Sequence, residues 1–147
     1  MKLFLDTADV DTVKKYWSTG LIDGLTTNPT LMMKAGQLPD KVYHDLKVLG
    51  IKDISMEVVA DNHIDMLAEA RRLIGLFGDV VTIKVPCTVE GLLTCRELAN
   101  QNIRVNVTLI FSAAQAILAA KAGATYVSPF VGRIDDNSFD GIGLIKE

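Results

Sequence analysis

A regular alternation of short apolar runs and amphipathic segments is the feature that most constrains how this chain of 147 residues folds. Six apolar runs, each followed by a segment with helical periodicity, leave about 24 residues for each unit, which suits βα repeats joined by short loops. The runs lack strict apolar–polar alternation, as is typical of a parallel sheet buried on both faces. The predicted strands are 2–5, 21–26, 54–58, 80–85, 104–107 and 125–127.

Capping residues and glycines delimit the helices predicted between these strands. Asp9, Thr88 and Ser112 are N-cap residues of the helices 9–18, 90–100 and 113–122, and Gly78 and Gly123 end the helices 63–76 and 113–122. The predicted helices are 9–18, a short one after Pro29, 40–49, 63–76, 90–100 and 113–122, with a last helical turn or two after Asp136.

Two architectures fit this alternation, an open doubly wound sheet and an arc of a (β/α)8 barrel. A doubly wound sheet predicts a glycine-rich phosphate loop after the first strand, where this chain has Asp6-Thr7-Ala8-Asp9. Polar residues instead follow several of the runs, and (β/α)8 barrels carry their catalytic residues at that end of the strands. The sequence therefore favours an α/β fold, a partial (β/α)8 TIM barrel of about six β/α units, in a single domain over residues 1–147.

Composition excludes several classes of function. Lysine and arginine number 15 against 18 aspartate and glutamate, and the net charge of −3 is far from that of a nucleic-acid-binding protein. The longest uncharged stretch, 105–120, is shorter than the roughly 20 apolar residues of a membrane helix, and Asp6 interrupts any N-terminal signal. Cys87 and Cys95 fit a reduced compartment better than a disulfide scaffold. We therefore expect a cytoplasmic protein that binds neither nucleic acid nor membranes.

The sequence predicts no metal site. Its cysteines and histidines do not have the spacing of metal ligands. His44 and His63 lie in polar segments, so we expect both to face solvent.

Lys84, which closes the apolar run 80–85, is the strongest candidate for chemistry. A charged ammonium in a β-branched strand must reach solvent, find a partner or give up its proton. A neutral lysine is a nucleophile towards carbonyl carbon and forms a Schiff base. From this strand alone, a lysine that extends to water is the more common alternative. Three other runs also end in polar residues, namely Asp6, Glu57 and Thr108.

Five motifs, in one order along the chain, resemble those of the transaldolase family. They are Leu5-Asp6-Thr7-Ala8, Gly24-Leu25-Thr26-Thr27-Asn28-Pro29-Thr30, Ile83-Lys84-Val85-Pro86, Asn106-Val107-Thr108-Leu109-Ile110-Phe111-Ser112 and Ser128-Pro129-Phe130-Val131-Gly132-Arg133. The chain is similar to the small-subunit subgroup, which includes fructose-6-phosphate aldolases. The resemblance implies transfer of a dihydroxyacetone unit between sugar phosphates, of the sedoheptulose 7-phosphate and glyceraldehyde 3-phosphate type, in the pentose phosphate pathway and without a cofactor.

The resemblance also implies the catalytic residues. Lys84 would form the Schiff base, and Asp6 would act as the general acid and base. Glu57 and Thr108 would hold the water needed to form and hydrolyse the carbinolamine. Taken alone, Asp6 could equally be a turn or capping aspartate before Asp9, and Glu57 could be a structural partner of Lys84.

A second set of residues is implied to bind substrate. These are Asn28, Asn106, Ser128, Phe130 and Arg133. Asn28 would contact donor hydroxyls, Asn106 and Ser128 would line the cleft, and the fork of Arg133 suits a phosphate dianion. Alone, an Asn-Pro pair is more often a turn signal, and Arg133 could pair at the surface with Asp135 or Asp136.

Phe130 favours a transaldolase over the aldolase branch of the same family. The aldolase branch tends to carry tyrosine at this position and glutamine in place of Glu57. A tyrosine hydroxyl would help to release the enamine as a free ketone, whereas phenylalanine donates no proton. The enamine should then survive until an aldehyde acceptor arrives. A fructose-6-phosphate aldolase remains the alternative.

Members of the subgroup continue beyond the point at which this chain ends, and residues 143–147 stop inside a predicted helix. We therefore expect a chain truncated at its C-terminus, without the last two β/α units, that would form a homo-oligomer if full length. Unpaired sheet edges at the first and sixth strands invite aggregation, so weak activity and poor solubility are expected of these residues alone. An inactive truncated remnant is the second alternative.

Overall fold

A computed structural model describes residues 1–34, 36 and 38–147 as alternating strands and helices. The strands are β1 (Phe4–Asp6), β2 (Gly24–Thr26), β3 (Ile54–Glu57), β4 (Val81–Pro86), β5 (Val105–Ile110) and β6 (Tyr126–Pro129). The helices are α1 (Val10–Trp17), α2 (Pro29–Lys34), α3 (Pro39–Val48), α4 (His63–Phe77), α5 (Val89–Asn100), α6 (Ala113–Ala122), α7 (Val131–Asp136) and α8 (Gly141–Lys146), with a 3₁₀ turn at Gly78–Val80.

The strand order in the sheet is β1-β2-β3-β4-β5-β6, the order of the chain itself. The pairs β1–β2, β2–β3, β4–β5 and β5–β6 are parallel, and every strand is followed by at least one helix. A doubly wound sheet would reverse its strand order at a switch point. The sequential order is that of a (β/α)8 barrel, so the predicted partial barrel with six β/α units is confirmed.

The chain divides into two compact units, each with its own apolar interior. Unit 1 comprises Met1–Val59 and Glu69–Thr82, and unit 2 comprises Ala60–Ala68 and Ile83–Glu147. Fully buried side chains in unit 1 include Leu25, Val42, Leu46, Ile54 and Met56, and in unit 2 they include Ile83, Val85, Leu98, Val105 and Val107. In both units these side chains lie on strands and on the helices that cover them, as expected for a parallel sheet.

The predicted helix caps are confirmed. Asp9 accepts the Thr12 backbone N–H at the start of α1, Thr88 accepts that of Gly91 and Ser112 that of Gln115. Each side-chain oxygen satisfies a backbone donor that the first helical turn leaves unpaired. Gly123, with a φ of +98°, ends α6 at the predicted residue.

Strand β5 is longer than predicted because it contains an irregularity. Val107 pairs with Val127, but the next pair joins Ile110 to Pro129, so β5 carries one more residue than β6 over this interval. Leu109, within the irregularity, has a φ of +61°. The prediction ended the strand at residue 107, before the polar Thr108, whereas the bulge lets pairing continue beyond it.

Helix α7 was not predicted. It spans six residues and contains Gly132, so it has too few positions to show a helical apolar period and a residue that disfavours helices. The last helix begins at Gly141 after the cap Asp140, later than the predicted start after Asp136. Arg133 therefore lies on a helix rather than in a loop.

The two histidines differ from one another. His44 is exposed, as expected. The expectation holds only in part for His63, whose side chain is 26% exposed, with Nδ1 3.0 Å from Thr94 Oγ1 and Nε2 3.3 Å from Glu97 Oε2. As the first residue of α4 it packs against α5, a tertiary contact that a polar sequence segment does not reveal.

Helices long and apolar enough to span a bilayer are absent from the described residues.

Candidate active site

Asp6, Asn28 and Glu57 belong to unit 1 and lie at, or just beyond, the ends of β1, β2 and β3. Parallel pairing places Asp6 opposite Thr26, whose hydroxyl donates to Asp6 Oδ1 at 2.9 Å. The Asp6 carboxylate is exposed, and the cap of α1 is Asp9 rather than Asp6. The structure therefore orients Asp6 at a strand end by a hydroxyl from the neighbouring strand.

Glu57 is the last residue of β3, and its strand neighbours Ile54 and Met56 are fully buried. The glutamate itself is half-buried and lines a cavity of about 230 Å³ within unit 1, together with Tyr43 and Arg72. A strand-end carboxylate that opens on a small cavity can exchange protons with whatever enters it.

Lys84 lies in β4 of unit 2, flanked by the fully buried Ile83 and Val85. Only 5% of the lysine is exposed, so its side chain does not extend into bulk water. The strand-end lysine that reaches solvent, the common alternative from the sequence alone, is not what this structure contains. A buried lysine needs compensating interactions, which are typical of functional sites.

Asn106 is the residue of β5 that pairs with Lys84 in the parallel register. Paired residues on strands about 4.8 Å apart project from the same face of the sheet, so the two side chains share one face. The Ser128 hydroxyl, from β6, donates to Asn106 Oδ1 at 2.9 Å. Because this bond uses the amide oxygen, the oxygen side of the buried Asn106 amide faces Ser128.

Thr108 lies two residues along β5 from Asn106, and its partner in β4 is Pro86. The side chain is 1% exposed, and Oγ1 has no hydrogen-bond partner among the described residues. Leaving a buried hydroxyl unsatisfied costs about 1–3 kcal/mol, so such a group commonly contacts a water or a ligand.

Phe130 and Arg133 line a larger cavity of about 1060 Å³ in unit 2, beside Phe111, Ser112 and Asn137. The rings of Phe111 and Phe130 meet edge to face, with their centroids 5.6 Å apart. Arg133 makes no ion pair with Asp135 or Asp136 within 4.0 Å in the described part of the chain. Its guanidinium is exposed and lies on a wall that is otherwise largely apolar.

Unit 2 therefore presents its predicted site residues other than Thr108 in two groups. Lys84, Asn106 and Ser128 form one group through strand register and a hydrogen bond. Phe130 and Arg133 form the other, along a cavity whose described lining does not include the first group.

The family model described as Transaldolase/Fructose-6-phosphate aldolase matches residues 3–147. The chain belongs to this family.

Similar curated proteins are named probable transaldolase. The protein from Erythrobacter litoralis is 52% identical over 149 residues, which cover 100% of this chain and 67% of the relative. The protein from Sphingopyxis alaskensis is 50% identical over 147 residues, or 100% of this chain and 68% of the relative. The chain thus spans about two thirds of the length of these relatives.

Solved structures with low sequence identity support the fold. The carboxyl transferase domain of Rhizobium etli pyruvate carboxylase superposes with a TM-score of 0.55 at 11% identity, over 98% of this chain and 32% of that one. A FabK mutant from Thermotoga maritima gives a TM-score of 0.52 at 17% identity, over 85% and 41%.

For this member of the transaldolase/fructose-6-phosphate aldolase family, sequence reasoning missed two residues that shape the site. Thr26 orients Asp6 through a hydrogen bond. The sequence could have predicted this contact, because Thr26 ends β2 as Asp6 ends the neighbouring β1. Leu109, next to Thr108, has a left-handed backbone. Nothing in a leucine side chain predicts this conformation, which residues other than glycine adopt at a cost.

The two cysteines are poor nucleophiles in this family member. Burial raises the pKa of the Cys95 thiol to about 11 and also raises the pKa of Cys87. Both thiols are therefore protonated at neutral pH, and the thiolate is the reactive form.

Proposed function

We propose that this chain carries the Schiff-base chemistry of a transaldolase, with Lys84 as the nucleophile. The observation that supports it best is a lysine 5% exposed within a parallel strand of a chain from this family. The amine of Lys84 attacks the ketone of a ketose phosphate to form a carbinolamine, which loses water to give an iminium.

The iminium is the electron sink for carbon–carbon cleavage. Asp6 takes the proton of the hydroxyl next to the scissile bond, and the electron pair of that bond moves to the iminium. An aldose phosphate leaves, and an enamine of dihydroxyacetone stays on Lys84. Addition of the enamine to an acceptor aldehyde, followed by hydrolysis, releases the new ketose phosphate and the free lysine.

Thr108 and Glu57 are proposed to handle the water that leaves and returns in these steps. The support for Thr108 is its buried Oγ1, which has no protein hydrogen-bond partner in the described ranges and can bond a water. Glu57 is a strand-end carboxylate open to a cavity, which suits proton exchange with water.

The remaining residues are proposed to bind the sugar phosphates. The Asn106 amide, held by Ser128, and the Asn28 amide would bond donor hydroxyls. Arg133, without an ion pair to Asp135 or Asp136, is available for the phosphate dianion. A reduced cytoplasmic location, a reaction without cofactor or metal, and a homo-oligomer in a full-length form stay predictions.

Phe130 supports transfer rather than simple cleavage. Its ring packs against Phe111 and has no proton to give to the enamine, so the intermediate waits for an aldehyde. A fructose-6-phosphate aldolase is the second candidate, since the family comprises both activities. Release of free dihydroxyacetone faster than transfer to an aldehyde phosphate would favour the aldolase.

Reduction of the iminium in the 147-residue chain tests the proposal. Borohydride added with a ketose phosphate should convert the iminium to a stable secondary amine, which peptide mass spectrometry locates. The added mass of the donor should be found on Lys84 and should be absent in Lys84→Ala. It should still be found on Lys84 in the control Lys47→Ala, which replaces an exposed lysine on α3. A folded chain that traps no donor, or traps it equally on other lysines, contradicts the proposal.

A further inference from the structure

Tyr43, on α3 of unit 1, is a buried tyrosine that the proposed chemistry does not use. It is 3% exposed, and its ring meets Phe77 edge to face at a centroid distance of 5.6 Å. Packing alone does not require a hydroxyl here, because a phenylalanine would fill the same space. A buried phenol is tolerated when its oxygen finds partners.

The partners of the hydroxyl lie at the ends of β2 and β3. Thr27 Oγ1 is 3.4 Å from the phenol oxygen and donates to Ser55 O at 2.9 Å. The backbone of Glu57 also lies close enough to the phenol oxygen to lower the pKa of the phenol. The hydroxyl therefore lies between the segment after β2 and the end of β3, and Thr27 links it to the Ser55 carbonyl of β3.

The phenol stays neutral in this position. Burial raises the pKa of Tyr43, and the nearby Glu57 carboxylate raises it further, although contact with the Thr27 hydroxyl and the Glu57 backbone acts in the opposite direction. Tyr43 and Glu57 also line the same cavity of about 230 Å³.

The helix that carries Tyr43 is fixed at its start. Arg72 Nη1 and Nη2 donate to the two carboxylate oxygens of Asp40, at 2.8 and 3.1 Å. This two-bond pair ties the first turn of α3 to α4. The Tyr43 hydroxyl is therefore carried by a helix whose first turn is held in place by the Arg72–Asp40 pair.

We propose that Tyr43 is a positioning residue for Glu57, and that its hydroxyl holds the end of β3 so that the carboxylate keeps one orientation at its cavity. The proposal rests on the proposed function of Glu57. Small misplacements of a catalytic group lower rates strongly, so the hydroxyl should matter more for turnover than for donor binding.

Three substitutions separate the hydroxyl from the ring. Tyr43→Phe keeps the packing on Phe77 and removes the hydroxyl, Tyr43→Leu removes both, and Tyr16→Phe is the control at a tyrosine that is 44% exposed. In Tyr43→Phe, the rate at which the borohydride-trappable adduct forms on Lys84 should fall about tenfold. The ketose phosphate concentration that gives half of the maximal rate should stay unchanged within about twofold. Tyr16→Phe should behave as wild type.

Amide exchange gives a readout that does not need activity. If the hydroxyl holds the end of β3, its loss lets this strand end open more often, so the Glu57 amide should exchange at least about tenfold faster in Tyr43→Phe than in wild type. Amides of α6 should be unaffected, because that helix lies in unit 2.

The outcomes distinguish the two proposals. If wild type traps no donor, the proposed function fails, and the exchange of the Glu57 amide still decides whether the hydroxyl holds β3. If wild type traps donor and Tyr43→Phe rescues the rate lost in Tyr43→Leu, the role of Tyr43 is packing and the positioning proposal is overturned. Unchanged exchange at Glu57 overturns it as well.

Discussion

Two buried threonines, one in each unit, lie in or just after a strand and differ in how their hydroxyls are used. Thr27, just after β2, is 0% exposed, and its hydroxyl donates to Ser55 O at 2.9 Å. Thr108, in β5, is 1% exposed, and its hydroxyl has no partner among the described residues. Similar burial therefore accompanies opposite bonding, which suggests different roles for the two hydroxyls.

The difference follows from energetics. A satisfied buried hydroxyl contributes about 1 kcal/mol to stability, whereas an unsatisfied one costs about 1–3 kcal/mol. A fold that retains the second kind gives up stability at that residue, as is typical of binding and catalytic groups. The comparison therefore separates a threonine that holds the fold from one whose hydroxyl we propose handles water.

Thr108→Val should produce the larger effect on chemistry. Valine keeps the shape and removes the unpartnered hydroxyl, so the rate of adduct formation on Lys84 should fall about a hundredfold if Thr108 activates water. The free energy of unfolding in urea should stay equal or rise by up to about 1 kcal/mol. A loss of stability of that size or more would show that the hydroxyl has a protein partner and would remove the contrast with Thr27.

Thr27→Val should have the reverse pattern. The substitution removes the hydrogen bond from Thr27 to Ser55 O, next to the buried Tyr43, so the free energy of unfolding should fall by about 1–2 kcal/mol. Thr82→Val is the matched control, since its buried hydroxyl donates to Asp53 Oδ1 at 2.6 Å and should cost a similar amount. If Thr27→Val proves neutral while Thr82→Val destabilises, the Thr27 hydroxyl is not the structural member of the pair.

The contrast between the threonines shows what a sequence can predict here. Both lie in motifs that the sequence identifies, and Thr108 was assigned to water handling only through the family resemblance. Caps such as Ser112, and the end of α6 at Gly123, were predictable because they depend on neighbouring residues alone. Whether a hydroxyl is satisfied depends on residues distant in sequence, such as Ser55 for Thr27.

The same limit explains the missed elements. The bulge at Leu109 arises where the register between β5 and β6 shifts by one residue. Helix α7 has only six residues, too few to show a helical period in the sequence. Lys84 was identified as a candidate from its strand, but its burial required the fold. The catalytic and binding roles of the site residues stay predictions.

Leu109→Gly tests the backbone beside Thr108. Leucine at a φ of +61° is strained by about 1 kcal/mol, which glycine avoids. Leu109→Ala is the matched control, because it loses the same partly exposed side chain and keeps the strain. Glycine should therefore be about 1 kcal/mol more stable than alanine in urea unfolding, and equal stability would argue against a strained backbone next to the unsatisfied hydroxyl.

Alkaline titration should distinguish the two units with a smaller effect. Cys95, in unit 2, has its thiol pKa raised by burial from 9.0 to about 11, and Tyr43, beside Thr27, has its pKa raised above 10.0. Between the unfolded and folded pKa values the unfolded chain has already lost a proton that the folded chain retains, so stability falls as pH rises. The loss begins near pH 9 for Cys95 and near pH 10 for Tyr43.

Urea unfolding from pH 8 to pH 11 measures this difference. Cys95→Ala should reduce the loss that starts near pH 9, and Tyr43→Phe should reduce only the part above pH 10, because each removes one titrating group. Both contributions have the same sign, because burial raises the pKa of each group. A pH dependence that neither substitution changes would show that both groups titrate normally, and the environment around Thr27 would then be as open to water as an unfolded chain.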